Sequence, residues 1–153
     1  MSIDEYLSVV EKEIHSVVVS MVDRDGKPAS AFMDVMLADE SGLYFLTSDN
    51  GRDLYHNLNN SEYVSICGKT DGDYYHSKMI TVKGRIRNIG KSRVDELLDR
   101  NDYLKKLYPD NEKDKRQILD VFQVYEGQGT YQEFATFPPM KAVFSFGGQS
   151  TDN

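Results

Sequence analysis

The stretch Ser16–Thr47, SVVVSMVDRDGKPASAFMDVMLADESGLYFLT, decides the fold class. It opens with the β-branched cluster Val17, Val18, Val19 and Val22 around Met21, residues that suit a pleated, half-buried surface. Asp23-Arg24-Asp25-Gly26-Lys27-Pro28 follows, with Asp25-Gly26 as a hairpin signal. Ala29–Leu37 reads as the returning strand, Asp39-Glu40-Ser41-Gly42 as a second turn and Leu43–Thr47 as a third strand. Turns this short join only antiparallel neighbours, so the stretch is a meander.

Upstream, Ser2 and Glu5 form a capping-box pattern. Ile3, Leu7, Val10 and Ile14 recur at helical spacing, so a helix is expected to end near His15. Downstream, Asp49–Leu58 reads as a short helix capped by Asp49 or Asn50, and Tyr63–Gly68 as a fourth strand. Ser77–Ile89 is a long fifth strand: Ile80, Val82 and Ile86 alternate with Lys83, Arg85 and Arg87. Ser92–Arg100 reads as a helix capped by Ser92, with short helical pieces through residues 102–115. Ile118–Tyr125, Gly129–Phe134 and Ala142–Phe146 complete eight strands, Pro138-Pro139 separates the last two, and a frayed tail is expected from Gln149. Strands with helices inserted between them make a mainly β, α+β architecture, an antiparallel barrel decorated by helices. No linker or repeat divides the chain, so one domain over residues 1–153 is expected.

The chain has 153 residues with a net charge of −7, which argues against nucleic acid or an anionic membrane as partner. The single Cys67 excludes an internal disulfide and any cysteine-rich zinc site. It reads as a small buried hydrophobe in its strand. No stretch approaches the roughly 18 apolar residues of a membrane span, and a reducing cytoplasm is the expected compartment. His15, His56 and His76 have no metal-ligand spacing, so no metal is expected. Of the three, His76, beside Tyr74 and Tyr75, is the one placed to touch a ligand.

The chemistry concentrates at Leu43–Asp53. A strand ends in the hydroxyls of Thr47 and Ser48, a turn with Gly51 follows, and Arg52 opens the next helix. Free N–H groups, two hydroxyls and a guanidinium would hold a phosphate. The alternative is an ordinary strand–helix junction with Arg52 in solvent. Lys83, Arg85 and Arg87 form a positive strip that would hold an anion, receive acidic groups of another subunit, or simply pair with neighbouring carboxylates. No catalytic residue is singled out. Difficult chemistry in such a chain would be borrowed from a cofactor.

These segments, in this order, resemble the FMN-binding split-barrel family related to pyridoxamine 5'-phosphate oxidase, short bacterial members included. The resemblance rests on Asp39–Ser48, Gly51-Arg52, Leu58–Ser65, Val82-Lys83-Gly84-Arg85-Ile86 and the closing Ser145-Phe146-Gly147-Gly148. It implies a split barrel that binds FMN at the interface of a homodimer and acts as an oxidoreductase on a small molecule. Carried over by position, it implies that Thr47, Ser48 and Arg52 hold the phosphate. Met33, Asp34, Val35 and Met36 would run along the flavin ring, and Lys78 and Met79 would reach it from a later strand. Lys83 is a further candidate for the phosphate. The departures are Asp53, Ala31 and Met36 where basic residues are expected, Met79 where a glutamine is expected, and no Trp and Arg-His substrate segment near the C-terminus. Pyridoxamine phosphate oxidation itself is therefore not expected. The competing reading is a non-catalytic, stress-related dimeric module that binds a flavin, a deazaflavin or haem without holding FMN tightly.

Overall fold

A computed structural model describes residues 1–51 and 53–148. Its eight strands form one antiparallel sheet in the order β2-β1-β5-β6-β7-β4-β3, with β8 paired to β7 off that path. They are β1 Ser16–Val22, β2 Pro28–Asp34, β3 Leu37–Asp39, β4 Gly42–Ser48, β5 Tyr63–Lys69, β6 Lys78–Gly90, β7 Leu119–Glu133 and β8 Met140–Gly147. The sheet curls without closing, as a split barrel does.

Helix α1, Ile3–Ser8, continues as a π-helical turn through Val9–Ile14. Ser2 caps it as the sequence predicts, its hydroxyl accepting from Glu5 N–H at 3.3 Å. The expected stripe of Leu7, Val10 and Ile14 is buried in the main core with Val17, Val19, Phe45, Ile66, Ile80, Val82 and Phe122. A second core lies on the other side of β4 and β7. There α3, Val94–Arg100, buries Val94, Leu97 and Leu98 against Met36, Leu37, Tyr44, Leu119 and Val121. This explains why Leu43-Tyr44-Phe45 reads as an unbroken apolar run: β4 has a core on each face.

Four expectations change. The sixth and seventh strands are one fifteen-residue strand, β7, whose first half pairs with β4 and second half with β8. Gly127 and Gly129 do not turn the chain. They make room for the rings of Phe146 and Phe144, whose atoms would lie 2.6 Å from a Cβ at either position. The returning strand Ala29–Leu37 divides into β2 and β3, because Val35 N–H turns to the carbonyl of His15 and Met36 N–H to that of Tyr44. Helix α2 spans Asp53–Asn59, later than expected, and Asp49 N–H instead bonds Ile118 O. Ser92 does not cap α3; Arg93, at φ 69°, occupies that position and makes no side-chain cap bond. The tail from Gln149 lies outside the described residues.

Cys67 is exposed, not buried. Val64 and Ile66 take the inward positions of β5, and period 2 turns Cys67 to the outer face. Among the described residues no helix is long and apolar enough to cross a membrane, and none of the described His, Cys, Asp and Glu side chains group to hold a metal.

Candidate functional site

The end of β4 and the β2–β3 break meet at a cleft of about 290 Å³. Met33, Asp34, Met36, Thr47 and Ser48 line it, so five of the sequence-predicted site residues come together. The remaining walls are apolar and were not foreseen: Phe32, Leu46, Leu54, Leu104, Leu107, Tyr108 and Leu119. The spacing Leu104, Leu107, Tyr108 was the available signal, since i, i+3 and i+4 share one helical face. Asp34 is the one charged side chain among the described lining residues.

Thr47 carries the sharpest polar feature. The residue is 5% exposed, and its Oγ1 is buried with no hydrogen-bond partner among the described residues. A buried hydroxyl without a partner is uncommon and costly. Thr47 lines the cleft, and the oxygen itself is buried beneath that wall.

Behind Thr47 lies a polar cluster that sequence patterns did not reveal. Its cross-strand partner is Asp120 on β7. The Asp120 carboxylate accepts from Tyr55 O–H, from Asn88 Nδ2 at 3.1 Å and from Lys91 Nζ at 2.9 Å. Burial alone would raise its pKa, but the bonds from Tyr55, Lys91 and Asn88 outweigh it and hold Asp120 below the ordinary carboxylate value. The same bond to Asp120 is the main cause of a raised Tyr55 pKa. The cluster ties α2 to β6 and β7, and α2 carries Leu54 of the cleft wall.

Leu54 also lines an adjoining cleft of about 360 Å³, with Asp23, Arg24, Ser30, Ala31, Asp53 and Asn57. Ala31 and Asp53, two of the departures in the sequence, therefore face one space. Arg24 is the basic side chain among its described lining residues, and it stands in the turn between β1 and β2.

The other predicted residues lie elsewhere. Val35 is fully buried in the main core and does not line the cleft. Lys78 pairs with Glu13 at 2.7 Å, and neither it nor Met79 lines the cleft. Lys83 lines a shallow groove with Tyr63, Arg85, Glu126 and Phe146. Of the positive strip, Arg85 pairs with Glu62 and Glu126, while Arg87 bonds Gln123 and lies 4.4 Å from the Tyr125 ring centre. His76 is occupied by Asp73 at 2.7 Å. Arg52 lies outside the described residues.

The family model for pyridoxamine 5'-phosphate oxidase matches residues 3–127, which include both clefts and most of the sheet. The chain belongs to this family. No curated protein matches it. Among solved structures, pyridoxamine 5'-phosphate oxidase-like folds recur. A NimC/NimA family protein from Clostridium acetobutylicum is similar with TM-score 0.71 at 19% identity, over 94% of this chain and 91% of that one. A pyridoxamine 5'-phosphate oxidase-related, FMN-binding protein from Nostoc punctiforme follows at 0.57 and 13%, over 94% and 90%. The haem storage protein HutZ from Vibrio cholerae follows at 0.56 and 15%, over 96% and 98%. At such identities the likeness is one of fold.

Proposed function

We propose that this chain is a dimeric FMN-binding protein with oxidoreductase activity on a small molecule. The observation that carries the reading is the buried Thr47 hydroxyl, without a partner among the described residues, on a cleft whose other walls are apolar apart from Asp34 and Ser48. Such a cleft suits one face of a flat ring with a few directed polar contacts. Bound there, FMN would supply hydride chemistry that protein side chains lack. This chain's residues would bind and orient it. Thr47 and Ser48 would donate to phosphate oxygens, Arg52 would neutralise them, and the backbone of Met33–Met36 would lie along the ring. Leu104, Leu107 and Tyr108 would keep water from it. At about 290 Å³ the cleft is at the lower end of the range for small-molecule sites, roughly 300–1,000 Å³. A second copy would complete it, and Lys78, Met79 and Lys83, which do not line the cleft in this chain, would then reach the ligand from that copy. The setting we propose is cytoplasmic, within one domain over residues 1–153.

Titration of the purified protein with FMN, with sedimentation to count subunits, tests this. Saturable binding by a dimer supports it; a monomer indifferent to FMN overturns it. A second reading rests on Ala31, Met36 and Asp53, which stand where basic residues are expected: with fewer cations to offset a phosphate dianion, the chain would be a non-catalytic module that takes haem or a deazaflavin in place of tightly held FMN. Tighter binding of either than of FMN, in the same titration, would favour it.

A further inference from the structure

At one edge of the cleft three titratable side chains share a chain of hydrogen bonds. His15 Nδ1 lies 3.1 Å from the carbonyl of Glu11. His15 Nε2 lies 2.7 Å from Tyr103 Oη. Tyr103 O–H donates to Asp34 Oδ2 at 2.8 Å, and Ser16 O–H donates to Asp34 Oδ1 at 2.6 Å.

The protons of this network can be counted. A carbonyl only accepts, so Nδ1 must carry a proton. Tyr103 spends its single proton on Asp34. Nε2 must then donate to the phenol oxygen, so the ring needs protons on both nitrogens. A neutral imidazole has one too few and must give up one of the bonds. A proton on Asp34 would also satisfy the count, but both of its oxygens already accept, from Ser16 O–H and from Tyr103 O–H. Asp34 Oδ2 lies 3.8 Å from Nε2 and faces the resulting cation. The Glu11 carboxylate is turned away, accepting from Ala38 N–H and Arg100.

The network joins three elements. His15 ends the N-terminal helical segment at φ 61°, an uncommon backbone for a residue with a side chain. Its backbone N–H donates to Val10 O and its carbonyl accepts from Val35 N–H, which fixes the ring's origin. Asp34 ends β2 and lines the cleft. Tyr103 sits in the short 3₁₀ turn Asp102–Leu104, which leads into the Leu104, Leu107 and Tyr108 wall.

We propose that His15, as an imidazolium, is a positioning residue that fastens the 102–108 wall of the cleft through Tyr103, so that the wall is held at low pH and loosens as the ring loses its proton. The link to ligand affinity rests on reading this cleft as the binding site; the fastening itself does not.

The test is amide hydrogen exchange of the full chain without ligand at pH 6 and pH 8, corrected for intrinsic exchange. Protection of residues 103–108 should fall about three- to tenfold at the higher pH, the worth of one net hydrogen bond. In Tyr103→Phe, a conservative change at a half-exposed ring, protection should be low and equal at both. A flat profile in the wild type, or the same fall in Tyr103→Phe, would overturn the proposal. FMN titration at the same two pH values is read separately. Affinity that weakens with pH in the wild type but not in Tyr103→Phe extends the fastening to binding. Absence of FMN binding beside pH-linked exchange removes the flavin reading and leaves the fastening.

Discussion

Thr47 and Asp120 face each other across β4 and β7 with opposite fates: the hydroxyl has no partner among the described residues, while the carboxylate accepts from three side chains. The two differ in what holds them there. Asp120 is anchored by Tyr55, Asn88 and Lys91. Thr47 bears a desolvation cost that no hydrogen bond among the described residues offsets.

Replacing Thr47 by Val therefore separates folding from binding. The shape is kept and an unsatisfied hydroxyl is removed, so thermal stability should hold or rise by up to about 1 kcal/mol. A hydrogen bond to an anionic ligand group is worth about 1.5–3 kcal/mol, so FMN affinity should fall by about tenfold or more. Paired melting curves and FMN titrations check this. A less stable variant with unchanged affinity would remove Thr47 from the site.

Asp120→Asn should cost about 1–3 kcal/mol at pH 7, because an amide cannot accept from all the donors that converge on the carboxylate. The pH dependence has a definite sign. Asp120's pKa is lowered on folding. Its contribution is thus complete above the unfolded carboxylate value of about 3.9 and is lost as pH falls through the lower folded one. Urea denaturation from pH 7 to pH 3 should show a constant gap between wild type and variant down to about pH 4, shrinking below it. A gap that widens in acid contradicts the assignment.

Gly84 sits beside the register shift in β6, opposite Gly127. A Cβ there would stand 2.5 Å from Glu126 O and 2.6 Å from a Val124 methyl, and the first of these is backbone that has little room to yield. Gly84→Ala should destabilise by about 1–3 kcal/mol through overpacking, read as a lower denaturation midpoint at unchanged m-value. Gly26, a hairpin glycine at φ 77°, meets nothing within 4 Å, so its Ala variant should suffer only from backbone strain.

Much of this arrangement is legible in the chain because it follows from periodicity. The alternation of Ile80, Val82 and Ile86 fixed β6, and the hydroxyls after Leu46 located the cleft. The break expected between Tyr125 and Gly129 is absent, because Gly127 and Gly129 make room for the rings of the distant Phe146 and Phe144, which no local pattern reveals. Cys67 misleads for a related reason: type favours burial, but the pleat set by Val64 and Ile66 overrides it. The Asp120 cluster and the His15–Tyr103–Asp34 network join residues up to 88 positions apart, and no local pattern encodes such pairs.

Arg116 offers the last test, because its partners differ in exposure. Its side chain is 10% exposed, and Nε and Nη2 both donate to the carbonyl of Tyr108, at 3.1 and 2.9 Å. It also meets Asp95 and Asp110, but their side chains are 82% and 75% exposed. Exposed carboxylates contribute little, so Asp95→Asn should cost no more than about 0.5 kcal/mol. Arg116→Lys keeps the charge but loses the planar fork, leaving the Tyr108 carbonyl with one donor at best, and should cost about 1–3 kcal/mol. Tyr108 lines the cleft, so Arg116→Lys should also weaken ligand binding while Asp95→Asn leaves it unchanged. Denaturation midpoints and FMN titrations of the two variants decide the matter. Equal losses in both would place the energy in the ion pairs; the predicted inequality places it in the two hydrogen bonds that hold the carbonyl of Tyr108.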